Sequence, residues 1–598
     1  MKTRRLLAAA LSLPLVASAG EVWVADSTEK IRPDAKARST TAATLGAARN
    51  EFESFQVVVT GPAHGVSATM APLGGPSRIS DVHLFRVDTV NVRQPSALDG
   101  GTGRWPDALV PDVDDVVGER RNAFPFDVAA GESRAIWVDV HVPRDASPGA
   151  YQGQVKVTSR EGEATVAVKL QVWDFELPST ASLRSSFGLS WGTLRAGHGG
   201  VSGDGESALR ARYGQLALDH RISLGGLADD DRAGDMGHLD QFYGPLLDGT
   251  AGTALPGAKL TALKYVGDRT SVPAHSSWAS HFKDRGWMKQ LFDYVCDEPP
   301  LTCGWGDINP RTQAAHAADP AFQTLVTTQI WDADAHGVTA GVDIMTPVVN
   351  WMWDKPGSSV AGDQRPRYDG FLASGSTKEI WVYQSCMSHG CGGTVNMGNP
   401  SDGDRYYTGW PSYMIDASAV RNRAMQWIDF LERATGEVYW ETTMAYTHDA
   451  WSNQWDFSGN GDGTLFYPGT TARIGGSTDV PVASIRLKMI RDGMEDYEYL
   501  HAVARAGDPQ FARAVALDLF PTPYQTEQDP AKLAAAREQL AQRLLALTGK
   551  PVPPAVLGAA GPIGGASGGC GSAGGATLAA LAIPVLLLAL RRRRRARR

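Results

Sequence analysis

Two adjacent carboxylates follow an apolar, aromatic run in the middle of the chain. Residues 290–296 have strand character, Asp297 and Glu298 come next, and Pro299 and Pro300 end the run. Ionised carboxylates are costly inside a sheet unless they are paired or have a task. Where a strand ends, the alternation of side chains between faces breaks down, so both carboxylates can line one cleft. Because neighbouring like charges raise one pKa, one of the two can stay protonated near neutral pH, and the pair is the candidate reaction centre.

The elements that must position this pair are strands alternating with helices from about residue 181 to residue 549. The predicted strands cover 183–191, 291–298, 341–349, 379–384 and 437–443. The predicted helices cover 206–220, 312–325, 417–435, 482–507 and 530–547, the last capped by Asp529 with Pro530 at its first position. Repeated β/α units over this length favour a parallel (β/α)8 barrel over an open sheet.

In such a barrel, the chemistry lies at the carboxyl ends of the strands. Besides Asp297-Glu298, three predicted strand ends carry aromatic or acidic residues: Trp191, Tyr383-Gln384 and Tyr439-Trp440-Glu441. Carboxylates with aromatic rings are typical of a cleft that cleaves sugars, since rings stack on pyranose faces. The alternative is a sealed barrel core in which the acids cap helices and the rings are packing residues.

An antiparallel β-sandwich is predicted for residues 20–180. Short alternating segments such as 55–59, 135–142 and 164–172 are separated by turn signals such as 147–149. No residues there have catalytic spacing, so a structural role is favoured over contact with carbohydrate. The predicted fold class is therefore multidomain, a β-sandwich followed by an α/β barrel.

Both ends of the chain predict export. Residues 1–19 have a basic start, an apolar centre and a small-residue cleavage signal, as in a secretory signal peptide. Residues 550–575 form a Pro/Gly-rich stalk containing Cys570, and 576–598 form a short apolar segment followed by arginines. This tail resembles the C-terminal sorting segments of myxobacterial surface proteins, which are processed near the cysteine; a plain membrane anchor is the alternative. We expect a cell-surface or secreted protein that contacts the membrane through this segment.

The charge balance excludes nucleic acid as a partner. The formal net charge is −8, and ten of the 57 basic residues lie in the two ends, which hold none of the 65 acidic residues. The body of the protein is thus more acidic still and has no basic stripe.

Four cysteines form two close pairs, Cys296 with Cys303 and Cys386 with Cys391. In an exported protein this spacing predicts two disulfides. A metal site is the alternative, but histidine is sparse around them, and we predict neither a metal nor a cofactor.

Weaker motifs favour no other enzyme class. Residues 456–462 begin like a calcium loop, but Tyr467 stands where the closing glutamate belongs, which favours a glycine-rich turn. No Gly-x-Ser-x-Gly elbow supports a serine hydrolase, and no glycine fingerprint for a nucleotide follows an early strand.

Three stretches together resemble glycoside hydrolase family 123 and its uncharacterised relatives. They are Asp297-Glu298-Pro299, the Gly-Asp-Gly-Thr-Leu-Phe-Tyr-Pro-Gly run at 461–469, and the Arg-Asp-Gly-Met-Glu-Asp-Tyr-Glu-Tyr-Leu run at 491–500. The sandwich segments 52–56 and 148–153 fit as well, so the resemblance covers about residues 21–549. It implies a β-sandwich followed by a (β/α)8 barrel, and a β-N-acetylgalactosaminidase-like activity on glycans.

The resemblance also implies a substrate-assisted, retaining mechanism. Glu298 would be the general acid/base, and Asp297 would hold the N–H of the substrate's 2-acetamido group while that group attacks the anomeric carbon. Tyr383, Trp440 and Tyr467, with Trp191 and Glu441, are the candidates for substrate contacts.

Two other functions remain open from sequence. Glu441 could serve as a nucleophile opposite Glu298 on a sugar without an acetamido group, which requires carboxyl groups about 5 Å apart. Alternatively, the barrel could bind glycans at the surface without turnover.

Overall fold

The computed structural model describes residues 21–389 and 395–557. The predicted signal peptide, most of the stalk, the terminal apolar segment, Cys391, Cys570 and the side chain of Cys386 lie outside this description, and so does the predicted disulfide between Cys386 and Cys391. Within the described ranges, no helix has the length and apolarity needed to cross a bilayer.

The N-terminal part consists of two facing β-sheets. Its strands are β1 (Glu21–Asp26), β2 (Ala42–Arg49), β3 (Glu51–Thr60), β4 (Ala63–Met70), β5 (Leu73–Gly74), β6 (Arg78–Ile79), β7 (Val82–Val92), β8 (Gly103–Pro111), β9 (Phe126–Val128), β10 (Ser133–Val142), β11 (Gly149–Ser159) and β12 (Gly162–Glu176). One sheet has the order β1-β3-β10-β7-β8, and the other runs β2-β12-β11-β4-β9 with β5 and β6 beside it. The pairs are antiparallel except for β2 on β12, as the alternating pattern predicts.

Strand β3 is buried on both faces, and its side chains alternate between two cores. Phe55 and Val57 face the second sheet, whereas Val58 belongs to a core that it shares with Ile485 and Met489 of a long C-terminal helix. The first sheet thus packs between the second sheet and the remainder of the chain.

The rest of the chain alternates strands with helices. The strands are β13 (Arg184–Phe187), β14 (Leu263–Lys264), β15 (Leu291–Cys296), β16 (Gln323–Val326), β17 (Ile344–Met345), β18 (Trp353–Asp354), β19 (Gly362–Asp363), β20 (Glu379–Tyr383), β21 (Gly436–Tyr439), β22 (Trp455–Asp456), β23 (Gly459–Asn460), β24 (Phe466–Gly469) and β25 (Val480–Ala483). The helices are α1 (Trp191–Gly197), α2 (Asp204–Asp219), α3 (Met236–Phe242), α4 (Gly244–Asp248), α5 (Val272–Asp284), α6 (Trp305–Ala318), α7 (Ile330–Ala335), α8 (Val349–Met352), α9 (Asp369–Ala373), α10 (Cys386–His389), α11 (Asp402–Tyr406), α12 (Ala419–Asn422), α13 (Met425–Glu432), α14 (Thr471–Ile474), α15 (Ile485–Arg505), α16 (Pro509–Leu519) and α17 (Pro530–Leu547).

Seven parallel strands form a nearly closed barrel with the order β13-β21-β20-β17-β16-β15-β14. The gap between β13 and β14 is crossed by extended backbone at residues 223–225. Leu224 pairs in parallel with Phe187, and the Lys264 amide donates to the Gly225 carbonyl. The barrel interior is packed with apolar side chains: Ala262, Phe292, Leu325, Ile344, Trp381, Tyr383 and Val438. A sandwich followed by a parallel α/β barrel is confirmed, whereas the eight-stranded closure expected from the sequence is not reached, since seven barrel strands pair within the described residues.

Several predicted boundaries shift. The strand predicted at 183–191 ends at Phe187, and helix α1 begins at Trp191. The helix predicted at 312–325 is wrong in its second half, because α6 ends at Ala318 and β16 follows. Pro320 lies directly beyond, and a proline disfavours helical backbone in the residue before it.

The long helix α15 joins the barrel to the sandwich. It contains the 491–500 run, and every residue of that run is buried. Arg491 donates to Asp139 of β10 at 2.9 Å, Glu495 accepts from the Phe52 amide at 3.1 Å, and Tyr499 donates to Glu51 at 2.5 Å. The most specific part of the family resemblance is therefore a buried polar interface between the barrel and the sandwich.

Candidate active site

The two predicted catalytic carboxylates directly follow barrel strand β15. Asp297 is exposed and Glu298 is half-buried. Glu298 has a φ of 44°, in the left-handed region that few residues other than glycine adopt. Such a conformation persists where the surroundings impose it, and it is frequent at functional sites. A disulfide joins Cys296 to Cys303 across this turn, with the Cα atoms 5.9 Å apart.

Asp297 is held by one of its two oxygens. Its Oδ1 accepts hydrogen bonds from the hydroxyl of Tyr294 at 2.7 Å and from that of Thr327 at 2.9 Å. Its Oδ2 has no donor among the residues that the structure describes. The carboxylate is thus oriented by the protein and keeps one oxygen free to accept a hydrogen bond from a ligand.

Glu298 is held by its backbone and by one carboxyl oxygen. Its amide donates to Thr327 Oγ1 at 2.6 Å, and its Oε1 accepts from the Tyr383 hydroxyl at 2.5 Å. Burial raises the pKa of Glu298 and the charge of Asp297 adds to the rise, while the Tyr383 hydrogen bond opposes it. The protonated form therefore persists to higher pH than in a free glutamate, as a general acid requires.

Tyr294 and Thr327 are site residues that sequence reasoning missed. Tyr294 lies within β15, three residues before Asp297, where its aromatic character was read as strand packing. Burial and the nearby Asp297 raise the pKa of Tyr294 well above its ordinary value, so it remains a neutral donor. Thr327 follows β16, the strand hidden by the wrong helix prediction at 312–325. The polar residues that follow the apolar pair Leu325-Val326 could have indicated the end of a strand, and with it Thr327 as a site residue.

Tyr383 is the one predicted substrate-contact residue that touches the Asp297-Glu298 pair. It ends β20, and its ring lies in the barrel interior, so its hydroxyl reaches Glu298 from below.

Two of the predicted contact residues lie at the barrel mouth. Trp440 follows β21 with 39% of its surface exposed, and its indole N–H donates to Asp462 at 3.0 Å. Trp191 is 45% exposed, and the Arg195 guanidinium lies 4.7 Å from its ring centre. Both rings are available to a ligand at this end of the barrel.

Tyr467 is not a cleft residue, which corrects the prediction. It is completely buried, and its hydroxyl donates to Asp107 of the sandwich at 2.6 Å. It belongs to a core between β24, β25 and the first sheet.

Glu441 is likewise not available to a substrate. It is buried, and its Oε1 accepts from the amides of Thr442 at 2.8 Å and Thr443 at 2.9 Å and from the Thr443 hydroxyl at 2.9 Å. Its Oε2 accepts from the amide of Ser190 at 3.0 Å and from the Ser190 hydroxyl. Because five donors occupy this carboxylate, it fixes the β13–α1 turn against the loop after β21.

In the described ranges, no group of three or more His, Cys, Asp or Glu side chains could hold a metal ion. Asp462, from the calcium-like stretch, accepts from Trp440 and pairs with His389 at 2.9 Å.

Comparisons with known proteins bear on the family. Residues 81–159 match the family model described as the glycoside hydrolase 123 N-terminal domain. A solved family 123 glycoside hydrolase from Clostridium perfringens, whose structure addresses glycolipid glycan hydrolysis, is similar over 88% of this chain and 98% of that chain, with a TM-score of 0.60 and 12% identity. The resemblance to glycoside hydrolase family 123 is confirmed.

The structural similarity to this family 123 enzyme shows a shared fold, and the match to the family model supports a glycosidase. An FMN-binding β-glucuronidase from Facaelibacterium prausnitzii is similar over 81% of this chain and 62% of that chain, at 9% identity and a TM-score of 0.24. A β-glucuronidase from Bacteroides uniformis is similar over 80% and 51%, at 10% identity and a TM-score of 0.23. These two scores are too low to carry an argument. No curated protein sequence matches the chain.

Proposed function

We propose that the protein is a glycoside hydrolase that cleaves β-linked N-acetylhexosaminides, of the N-acetylgalactosamine type, with retention of configuration. The observation that carries the proposal is the asymmetry of the carboxylate pair. Asp297 is oriented through Oδ1, and its Oδ2 has no donor within residues 21–389 and 395–557, while Glu298 has a raised pKa. One group suits acceptance of an N–H, and the other suits donation of a proton. Hydrolysis of glycolipid glycans by the family 123 relative supports a glycoconjugate substrate.

In the first step, protonated Glu298 gives its proton to the glycosidic oxygen as the bond to the anomeric carbon breaks. The carbonyl oxygen of the substrate's acetamido group forms a bond to that carbon from the opposite side, which yields a cyclic oxazolinium ion. Asp297 Oδ2 accepts the acetamido N–H, orients the group and stabilises the positive charge that develops on it.

In the second step, ionised Glu298 takes a proton from water, and the resulting hydroxide adds to the anomeric carbon. The bond to the acetamido oxygen breaks, so the acetamido group and the protonated Glu298 are restored. Two inversions give net retention.

This mechanism needs no enzymic nucleophile, and Glu441 is poorly suited to be one. Its oxygens accept five hydrogen bonds from Ser190, Thr442 and Thr443. A nucleophilic carboxylate would have to give up several of these bonds in order to attack.

The test is hydrolysis of paired aryl β-glycosides with and without the 2-acetamido group. We expect turnover of the acetamido substrate, a loss of about 10²–10⁴-fold in kcat/KM for Glu298→Gln, and a comparable loss for Asp297→Asn. Added azide should yield a β-glycosyl azide with Glu298→Ala, because azide needs no general base.

Equal turnover of the substrate without an acetamido group, combined with an inactive Glu441→Gln, would favour a two-carboxylate glycosidase. Binding of glycans without turnover of any substrate would favour a non-catalytic surface protein.

A further inference from the structure

The hairpin formed by β22 and β23 has an unusual tip. Trp455 pairs with Asn460 and Asp456 with Gly459, which leaves a two-residue turn made of Phe457 and Ser458. Both have positive φ, 45° and 69° respectively. Such turns favour asparagine and glycine, whereas a bulky side chain in the left-handed region is strained. Phe457 therefore occupies a position where its backbone conformation is unfavourable.

Core packing does not compensate for this strain. Phe457 is 50% exposed, and its ring makes an edge-to-face contact with Trp440, with centroids 5.0 Å apart and planes at 85°. A half-exposed aromatic side chain gains only part of the stabilisation that full burial provides. Backbone strain of this kind is concentrated at functional positions.

Trp440 itself is rigidly held. Asp462 accepts its N–H at 3.0 Å, and a Cβ on Gly463 would lie 2.3 Å from the indole. Gly463, with a φ of 65°, thus allows the backbone to pack against the ring. The two aromatic side chains form a fixed, partly exposed apolar surface, which we call the rim platform.

The rim platform and the carboxylate pair both lie at the carboxyl end of the barrel strands, after β21 and β15 respectively. In the barrel, Tyr383 of β20 is in register with Val438 of β21, and Trp440 directly follows the end of β21. Tyr383 donates to Glu298. The platform therefore lies at the end of β21, next to β20, whose Tyr383 contacts the proposed acid/base, while Glu298 itself follows β15, four strands away in the sheet order.

We propose that Phe457 and Trp440 bind the sugar ring on the leaving-group side of the cleaved bond by stacking. The inference rests on the proposed glycosidase function. The sugar to be released must occupy the floor, where Asp297 and Glu298 meet it, so the rest of the glycan extends toward the exposed rim. Flat C–H faces of a pyranose ring match aromatic surfaces of this kind, and rigid rings bind with little loss of conformational entropy.

The experiment compares Phe457→Asn with wild type on two substrates, a β-linked N-acetylgalactosaminyl disaccharide and the corresponding methyl β-glycoside. Each variant is compared with wild type on the same substrate, so the difference in leaving-group acidity cancels, and the disaccharide alone presents a ring to the platform. We expect kcat/KM to fall roughly tenfold on the disaccharide and less than twofold on the methyl glycoside. Phe457→Trp keeps a ring and should retain most of the disaccharide activity.

Stability provides an independent measurement. Asparagine is tolerated at a positive φ, so we expect the thermal unfolding midpoint of Phe457→Asn to stay level or rise. An equal loss on both substrates, no loss on the disaccharide, or a lowered midpoint would overturn the platform role.

Binding separates this inference from the proposed function. Calorimetry with the disaccharide and the Glu298→Gln protein should show affinity roughly tenfold weaker when Phe457→Asn is added. If the disaccharide binds more weakly when Phe457 is replaced, but the wild-type protein never hydrolyses it, the proposed function is refuted and the platform is supported. Hydrolysis that is indifferent to Phe457 would refute the platform alone, as would the absence of any binding.

Discussion

Thr327→Val tests how the proposed catalytic pair, Asp297 and Glu298, is positioned. The Thr327 hydroxyl donates to Asp297 Oδ1 at 2.9 Å and accepts the Glu298 amide at 2.6 Å, so one oxygen orients both carboxylates. Valine has nearly the same shape but makes neither bond. A hydrogen bond to a charged group contributes about 1.5–3 kcal/mol, which corresponds to roughly 10- to 150-fold in rate if Asp297 is oriented mainly for the transition state. We expect this loss in kcat, with KM changed little.

The assay is steady-state hydrolysis of the aryl N-acetyl-β-galactosaminide, with two control variants. Thr327→Ser keeps the hydroxyl and should recover most of the activity. Thr328→Val removes the neighbouring hydroxyl, whose hydrogen bond to the Gln329 carbonyl is long at 3.5 Å, and should remain within about twofold of wild type.

A double-mutant cycle completes the test. If Thr327 acts through Asp297, Thr327→Val should cost much less in an Asp297→Asn background, because the interaction that it supports is already gone. The role of Thr327 in orienting Asp297 would be wrong if the two losses were additive or if Thr327→Val kept activity within threefold of wild type. It would also be wrong if Thr328→Val lost as much activity as Thr327→Val.

Two further predictions concern pH and stability. Asp297→Asn removes a charge that raises the pKa of Glu298, and Tyr383→Phe removes a hydrogen bond that lowers it. The alkaline limb of the kcat/KM–pH profile should therefore move to lower pH in Asp297→Asn and to higher pH in Tyr383→Phe. Shifts in the same direction would contradict the assignment of that limb to Glu298. Burial raises the pKa of Asp139, but the charges of Arg491 and Lys488 lower it more and hold it well below its ordinary value. The ionised form of Asp139 therefore stabilises the fold above pH 4, and this contribution is lost as pH falls. Arg491→Met should therefore lower the free energy of unfolding by about 3–5 kcal/mol and move acid unfolding to higher pH, as measured by denaturant titrations across pH. The control is Arg505→Met, which changes an arginine at the solvent-facing end of the same helix. It should change the free energy of unfolding by less than about 0.5 kcal/mol.

The sequence pattern predicted those features that depend on interactions between residues close together in the chain. Alternation along β3, the capped helix α17 (Pro530–Leu547) and the carboxylates after β15 could all be predicted, because side-chain period, capping chemistry and the cost of buried charge act over a few residues. The helix predicted at 312–325 failed where Pro320 and the parallel sheet outweighed a helical pattern. That one error concealed Thr327, since its role depends on the end of a strand that had not been recognised.

The position of Asp297 and Glu298 together at a strand end, and the order of sandwich before barrel, could be predicted from the sequence. The tertiary structure decided which of the other polar and aromatic residues meet them. Tyr467 and Glu441 had suitable types and positions, but their partners, Asp107 and Ser190, lie hundreds of residues away in the chain. Thr327 reaches the pair from the neighbouring strand β16, 30 residues away in the chain, and Tyr383 reaches it from β20, three strands along the sheet and 85 residues away in the chain. Periodicity encodes the face on which a side chain lies, whereas the donor that it meets depends on strand order and register, which are set by packing of the whole barrel.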